Sequence, residues 1–178
     1  MPYTVRKSEV VYRGRVFDVL KDAVQYPDGR TATFDVLRHG DAVAMVPVTP
    51  DGEIIFVRQY RHAIAQDLLE IPAGRLEPGE DPSACAAREL KEEIGMAPGK
   101  LERIGEFFLA PGYSDEKMIV FLATELSPES LPQDDDEAIE VVPLSLSDSY
   151  AALQNGRVQD AKSLLVLLLA RPHFPKTD

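Results

Sequence analysis

Short apolar runs separated by turn residues make up the first part of the chain. Runs rich in β-branched and aromatic residues, bounded by Pro, Asp and Gly, are typical of strands that pair through hairpins. The two clearest turn signals are Pro27-Asp28-Gly29 and Pro50-Asp51-Gly52. The strand signals before and after them are Phe17, Val19 and Ala23 to Tyr26, then Thr31 to Leu37, Ala42 to Val48 and Ile54 to Tyr60, and a short segment follows at Leu68 to Ile71.

One segment, Asp81 to Ile94, carries the signals of a helix at both of its ends. Asp81 suits the N-cap position, because its carboxylate can accept hydrogen bonds from the first backbone N–H groups. Pro82 suits the first helical position, and Gly95 suits the position just past the C-terminus. These signals predict a helix over the whole segment.

The second half of the chain returns to strands and then closes with helices. Strands are predicted at Ile104 to Leu109 and Met118 to Leu126, around a turn at Pro111-Gly112, and again at Ile139 to Val142. Two helices are predicted, near Ser147 to Gln154 and Asp160 to Arg171. An order of strands, helix, strands and helices indicates an α+β domain or a layered α/β/α domain.

The composition is that of an acidic globular chain. Its 178 residues include 19 basic and 30 acidic side chains, which give a formal net charge of −11. A basic face for nucleic-acid phosphates is therefore not expected. Nucleotides stay open as ligands, since a divalent cation can supply the positive charge that phosphates need.

Three features predict a soluble cytoplasmic protein that has no membrane partner. Cys85 is the single cysteine and cannot form an internal disulfide. The N-terminal residues lack the apolar run of a signal peptide. The longest apolar run, Leu164 to Ala170, is far shorter than the ~20 residues that a membrane helix needs.

Three carboxylates, those of Glu89, Glu92 and Glu93, lie within one turn of the predicted helix. At about 100° per residue they share a face roughly opposite an apolar stripe. The stripe consists of Ala87, Leu90 and Ile94. On spacing alone, the cluster is either a solvated acidic face or a site for hard divalent cations, which prefer oxygen ligands.

A longer pattern surrounds this helix and decides between the two interpretations. Gly74 is followed after five residues by Glu80, and after seven more by Arg88-Glu89-Leu90-Lys91-Glu92-Glu93-Ile94-Gly95-Met96. Seven fixed residues and two aliphatic positions match by chance with a probability on the order of 10⁻⁷ to 10⁻⁸. The pattern resembles the Nudix box at every specified position, so the chain is identified as similar to the Nudix hydrolases.

This resemblance implies a fold, an activity and a cofactor. The expected fold is an α/β/α sandwich around a mixed sheet, preceded by a small antiparallel β subdomain. The subdomain is expected at residues 1–40, where it serves dimerisation and the base side of the nucleotide, and the hydrolase domain at 41–178. The implied activity is cleavage of nucleoside diphosphates linked to another moiety, with two or three Mg²⁺ or Mn²⁺ ions.

The resemblance also implies which residues hold these ions. The ligands in the family match the backbone carbonyl of Ala73 and the carboxylates of Glu89 and Glu93. Glu80 matches a position that either approaches the same cluster or pairs with the arginine of the box, here Arg88. We therefore expect the loop before the helix and the helix itself to form one metal site.

Two further carboxylates are implied as catalytic. Glu92 matches a position that often binds a second ion. Glu137 matches a general base on a mobile loop, where a carboxylate can deprotonate the attacking water once substrate has bound. Acidic neighbours blur the alignment of Glu137 by a residue, so Glu140 is the second candidate for the base.

Flanking segments resemble the ADP-ribose pyrophosphatase branch of the family. Arg61 matches an arginine that holds a substrate phosphate with its fork of donors. Gly112 and Glu116 match positions that approach the terminal ribose. Phe17 is the best candidate by position for an aromatic ring that stacks on adenine in a homodimer. The segments that carry the resemblance are Arg58 to Arg61, Leu69 to Gly74, Ala110 to Glu116 and Asp134 to Val141.

Three functions follow from these residues as hypotheses. The first is Mg²⁺-dependent hydrolysis of ADP-ribose to AMP and ribose 5-phosphate. The second is hydrolysis of another nucleotide sugar such as GDP-mannose. The third is a Nudix-fold sensor that binds a nucleotide without cleaving it, although the intact set of Glu89, Glu92 and Glu93 weighs against a sensor.

Overall fold

The computed structural model describes residues 3–132 and 138–175. The chain forms two compact units. The first comprises the residues up to 41 together with 108–117, and the second comprises 42–107 together with the residues from 118 onward.

The first unit is built on a three-stranded antiparallel sheet. Its strands are β1 (Thr4–Arg13), β2 (Asp18–Gln25) and β3 (Thr31–Arg38), in the order β1-β2-β3. Leu20 and Val24 of the central strand are buried, whereas most side chains of β1 and β3 are exposed. The segment 108–117 is tied to β3, since the backbone of Leu37 bonds to Tyr113 and Asp115.

The second unit contains two sheets. One has the strand order β7-β4-β9-β8, in which β4 pairs parallel with β9 and antiparallel with β7. The other has the order β10-β5-β6 and is antiparallel. Their strands are β4 (Ala42–Pro47), β5 (Ile54–Arg61), β6 (Gln66–Glu70), β7 (Ala73–Arg75), β8 (Met96–Phe108), β9 (Lys117–Pro128) and β10 (Ile139–Leu144).

Among its described residues, three α-helices complete this unit: α1 (Pro82–Glu93), α2 (Leu146–Gln154) and α3 (Ala161–Ala170). Short 3-10 helices lie at His62–Ile64 and Arg171–His173. Every side chain of β4 is buried. Val43 and Met45 belong to the core formed with α1. Because side chains alternate along a strand, Ala44 and Val46 face the opposite side, and α3 also contacts β4. No helix in the described part of the chain is long and apolar enough to cross a bilayer.

The predicted fold class is confirmed by this mixture of layers, and so are the ends of the first helix. The Asp81 carboxylate accepts hydrogen bonds from the backbone N–H groups of Ser83 and Ala84, and Pro82 begins the helix. Gly95 follows with φ of +70°, a left-handed conformation that glycine adopts without steric cost.

Two strand predictions differ from the structure. The strand predicted from Ile104 begins at Met96, because pairing within the sheet overrides the turn propensity of Pro98 and Gly99. Phe17 lies in the connection before β2 and not in a strand. The short strand β7 was not predicted, since three residues that include a glycine carry no strand signal of their own.

Candidate active site

The face that α1 buries differs from the predicted apolar stripe. Its buried residues are Cys85, Ala86, Leu90 and Glu93, whereas Ala87 is only half-buried. The prediction that all three carboxylates lie opposite the core is therefore wrong for Glu93, whose side chain is 5% exposed. The reason is that α1 packs against β4 and β7, and the carboxylate of Glu93 is needed there as a hydrogen-bond acceptor.

Gly74 allows the chain before α1 to come very close to the helix. A Cβ atom built on Gly74 would lie 1.8 Å from Cδ of Glu89 and 2.0 Å from its Oε1. No side chain tolerates such distances, so the Glu89 carboxylate rests directly on the backbone of β7. Glycine is thus required here for close approach and not for an unusual φ angle.

Glu93 reaches the same strand one residue earlier. Its Oε2 accepts a hydrogen bond of 3.1 Å from the backbone N–H of Ala73. A buried carboxylate needs such a donor, because burying a polar group without a hydrogen bond is costly. The predicted ligands Ala73, Glu89 and Glu93 are therefore neighbours at the junction of β7 and α1.

Arg88 binds the other carboxylates of the predicted cluster. Its Nε lies 3.0 Å from Oε1 of Glu80, and its Nη1 lies 2.8 Å from one oxygen each of Glu89 and Glu92. The hydrogen bond from Arg88 lowers the pKa of Glu80 to about 2. That hydrogen bond likewise raises the pKa of Arg88 above its usual value. Glu80 hence takes the second of its two expected roles, as the partner of the box arginine.

Within residues 3–132 and 138–175, no three His, Cys, Asp or Glu side chains are already arranged as a metal cage. The carboxylates of Glu89 and Glu92 are instead bridged by one guanidinium group. The donors nevertheless fit a hard cation, because all of them are oxygens and two of them, from Glu89 and Glu93, meet at β7.

Cys85 lies beside this ion-pair network as a packing residue. Its side chain is fully buried and its Sγ lies 3.6 Å from the carbonyl oxygen of Arg75. Burial raises the pKa of Cys85 to about 12, and the nearby charges of Glu80 and Glu89 act in the same direction. Since the thiolate is the nucleophilic form, Cys85 is not suited to nucleophilic catalysis.

Arg61, at the end of β5, is held by a buried carboxylate. Its Nε and Nη2 each donate a hydrogen bond of 2.7 Å to Glu70, whose side chain is only 3% exposed. Lys162 contacts the same carboxylate at 3.1 Å. Burial raises the pKa of Glu70, but the hydrogen bond from Arg61 and the charge of Lys162 outweigh it, so the net shift is downward.

The predicted ribose and adenine contacts lie in the first unit. Gly112 stands in a turn closed by the hydrogen bond from Tyr113 N–H to the Ala110 carbonyl, and no atom lies within 4 Å of a Cβ built there. Glu116 lies 3.9 Å from Nδ1 of His39. Phe17 is 39% exposed, which leaves its ring accessible.

Of the two candidates for the general base, the structure describes only Glu140. Glu137 lies outside the described residues. Glu140 is opposite Arg58 across the β10–β5 pair, at 3.2 Å, and its side chain is 66% exposed. A position within a paired strand restrains Glu140 more than a loop would.

Sequence reasoning missed Glu70 and Lys162. Two signals were available for them. Glu70 is a single charge inside the apolar run from Leu68 to Ile71, where an unpaired carboxylate would be costly. Lys162 is a cation in the first turn of α3, where the helix dipole disfavours positive charge.

Comparison with known proteins identifies the family. A family model described as the NUDIX domain matches residues 38–166, more than half of the chain. The chain belongs to the Nudix family. A second family model, the nucleoside diphosphate sugar hydrolase N-terminal domain, matches residues 3–37.

Individual relatives agree with this assignment. The ADP-ribose pyrophosphatase of Bacillus subtilis (strain 168) is 40% identical over 158 residues, which cover 88% of this chain and 85% of that protein. The methanol dehydrogenase activator of Bacillus methanolicus is 34% identical over 163 residues, which cover 90% and 88%. The crystal structure of an ADP compounds hydrolase superposes with a TM-score of 0.87 at 28% identity, covering 97% and 94% of the two chains.

The protein is accordingly a Nudix hydrolase that resembles ADP-ribose pyrophosphatases. Nudix hydrolases generally need divalent metal ions. The Nudix box of this chain runs from Gly74 to Met96, and the structure brings its glycine and its carboxylates together at the junction of β7 and α1.

The close approach between Gly74 and Glu89 leads to a first prediction. Gly74→Ala should displace the Glu89 carboxylate, lower the free energy of unfolding by about 1–3 kcal/mol, as overpacking typically does, and weaken Mn²⁺ binding. Thermal unfolding in the presence of a chelator measures the stability. A titration with Mn²⁺, monitored by electron paramagnetic resonance, measures the metal affinity. In a Glu89→Ala background the same glycine substitution should destabilise much less, because the clashing carboxylate is gone. Equal destabilisation in both backgrounds would contradict the close approach.

Proposed function

We propose that this Nudix hydrolase cleaves the pyrophosphate bond of ADP-ribose to give AMP and ribose 5-phosphate, in the cytoplasm and with Mg²⁺ as its metal. Mn²⁺ is the alternative ion. The observation that carries the proposal is the convergence of Gly74, Glu89 and Glu93 at one junction. The names of the relatives direct the choice of substrate, because two of the proteins compared act on ADP-ribose or ADP compounds.

The residues proposed to hold the ions are the Ala73 carbonyl, Glu89 and Glu93, with Glu92 on a second ion and Glu80 beside them. When bound, two or three divalent ions neutralise the pyrophosphate, polarise its phosphoryl oxygens and lower the pKa of bound water. The chain supplies the oxygen donors and holds them on a rigid strand and helix. It carries a formal net charge of −11, so the cations also relieve repulsion between the protein and its anionic substrate.

Arg88 takes part in this proposal as an internal counter-ion. It contacts Glu80, Glu89 and Glu92 at once, and thereby limits the repulsion between the two carboxylates of α1 and the one that precedes the helix. A cation that binds Glu89 or Glu92 has to share or replace the contact to Arg88. The contact to Glu80 can persist, because Nε and Nη2 bind Glu80, whereas Nη1 binds Glu89 and Glu92.

The proposal also includes residues that contact the substrate. Arg61 is proposed to hold a substrate phosphate, since its side chain is 40% exposed although it is anchored on Glu70. Gly112 and Glu116 are proposed to approach the terminal ribose. Phe17 is proposed to stack on adenine, which its exposed ring allows.

A panel of substrates tests the activity and its rivals. Purified protein with Mg²⁺ should release AMP from ADP-ribose faster than it cleaves GDP-mannose, as measured by chromatography of the products. Glu93→Gln should keep the fold, because an amide oxygen can accept from Ala73 N–H, but should lower turnover by at least two orders of magnitude, a scale typical of a lost electrostatic stabiliser. Glu106→Gln, an exposed carboxylate on β8, is the matched control.

Other results of these assays would support a different function or a different role for Glu93. Faster cleavage of GDP-mannose would assign the chain to the nucleotide-sugar rival. Binding of ADP-ribose with no turnover of any compound would favour the nucleotide sensor. Near-normal turnover in Glu93→Gln would remove this carboxylate from the metal site.

The general base is proposed to be Glu137. Glu137→Gln should lower kcat by about 10² to 10⁴-fold with little change in KM, because a base acts mainly in the transition state. Glu140→Gln should stay close to wild type, since Glu140 is paired with Arg58 on a strand. The reverse result from steady-state kinetics would move the role to Glu140, and no effect in either variant would leave water activation to the metal ions alone.

We also propose a homodimer in which residues Val10 to Leu37 contribute to the interface. The sheet of the first unit is too small to bury a core alone, and it exposes several apolar side chains, among them Val11 and Phe34. Phe34→Glu should therefore shift the mass measured by light scattering from dimer to monomer and weaken nucleotide binding. Leu168→Glu on α3 makes the same change of polarity in the other unit and should leave the dimer intact. A wild-type monomer at micromolar concentration would exclude the proposal.

A further inference from the structure

A buried ion-pair network lies behind Arg61, outside the Nudix box. Its members come from β5, from the end of β6 and from the first turn of α3. Glu70 is 2% exposed and accepts from Arg61 through both of its oxygens. Lys162 adds a third charged contact, with its Nζ 3.1 Å from Oε2 of Glu70.

Several contacts hold the Lys162 side chain in position. Its side chain is 12% exposed, and its Nζ donates a hydrogen bond of 2.8 Å to the backbone carbonyl of Ile71. Asp160 lies 3.5 Å from the same Nζ and caps α3 by accepting from the Ser163 N–H. The first turn of a helix normally disfavours a cation, so this lysine is stabilised by its partners and not by the helix.

The charges in this network have a consequence for Arg61. With Arg61 alone, Glu70 would form a neutral pair, and a neutral pair attracts a phosphate weakly. Lys162 supplies a second positive charge to the same buried carboxylate. The charge of Asp160 is partly offset by the N-terminal N–H groups of α3. Because Lys162 shares the negative charge of Glu70, this carboxylate neutralises Arg61 less completely than it would in an isolated pair.

The geometry adds a second effect. Glu70 engages the Nε and Nη2 side of the guanidinium, which fixes the plane of the group. A carboxylate held only by Arg61 would move with that side chain. A carboxylate also held by Lys162 is anchored to α3 and to the backbone at Ile71. Arg61 is thus oriented from behind by a fixed acceptor.

We propose that Lys162 is a positioning residue for substrate binding, acting through Glu70 on Arg61. This inference rests on the proposed role of Arg61 in holding a substrate phosphate. Lys162 itself does not touch the substrate in this proposal. It sets the orientation and the effective charge of the arginine that does.

The test is a double-mutant cycle on substrate affinity. Lys162→Met should raise KM about tenfold, in the range that misplacement of a positioning group costs, while kcat stays within about threefold. Lys162→Gln, which keeps a donor for the Ile71 carbonyl but loses the charge, should show the same KM effect with less loss of melting temperature. Lys162→Arg should restore most of the affinity. Lys100→Met, from an exposed ion pair with Glu102, is the matched control and should leave KM unchanged.

The decisive arm combines Lys162→Met with Arg61→Met. If Lys162 acts through Arg61, its substitution should change KM by less than twofold once Arg61 is gone. An equal, independent effect in both backgrounds would overturn the proposal, and so would an unchanged KM in Lys162→Met and Lys162→Gln. A loss of melting temperature alone would show a purely structural role and would also overturn it.

The cycle is measured with whichever compound of the substrate panel the wild-type enzyme cleaves fastest. Failure of ADP-ribose as a substrate therefore does not decide the result for Lys162. If no compound is cleaved, the dissociation constant of α,β-methylene-ADP-ribose from titration calorimetry replaces KM, with the same expected and opposing results. Failure of the proposed function and failure of the positioning role are in this way distinguished.

Discussion

The arrangement of the site depends on one contact, in which the Glu89 carboxylate lies against the backbone of Gly74. Gly74 leaves room for Glu89 at a distance where any Cβ would collide with it. This contact sets how closely β7 approaches α1, and hence whether the Ala73 N–H can reach Glu93. Two glutamates of one helix face are thereby held on the same strand. The oxygen-rich junction follows from this one close approach, and the packing of α1 on β4 keeps it in place.

Arg88 makes this concentration of negative charge compatible with a folded helix. Glu80, Glu89 and Glu92 share one guanidinium group, whose planar fork can serve several acceptors at once. The arginine is therefore part of the stability of the site before any ion binds. A lysine would present its three donors from a single nitrogen, without the planar fork whose separate nitrogens bind these carboxylates here. The arginine of the box thus has a structural role, because it neutralises part of the charge of these three carboxylates.

Local chemistry explains how much of the fold was predictable. The ends of α1 were predicted correctly from Asp81, Pro82 and Gly95, because capping depends on neighbouring residues alone. The burial of Glu93 was not predicted, since helical period places it with the polar residues while the strand β7, formed by tertiary pairing, supplies its partner. The network of Glu70 and Lys162 joins residues about ninety positions apart, as the bond from Lys162 to Ile71 spans 91. No local sequence pattern predicts such a contact. The signals available were a carboxylate within an apolar run, Glu70, and a cation in the first turn of a helix, Lys162.

The buried thiol of Cys85 can serve as a natural probe of local opening between α1 and β7. The sulfur belongs to α1 and lies against the Arg75 carbonyl of β7, where the helix and the strand meet. A thiol reagent reaches it only when that helix separates from the strand. The rate of alkylation consequently reports the free energy of local opening at the site, separately from global unfolding. A ligand that binds only the closed arrangement would slow this opening, so the rate at which this one natural cysteine is labelled would report whether the site is occupied.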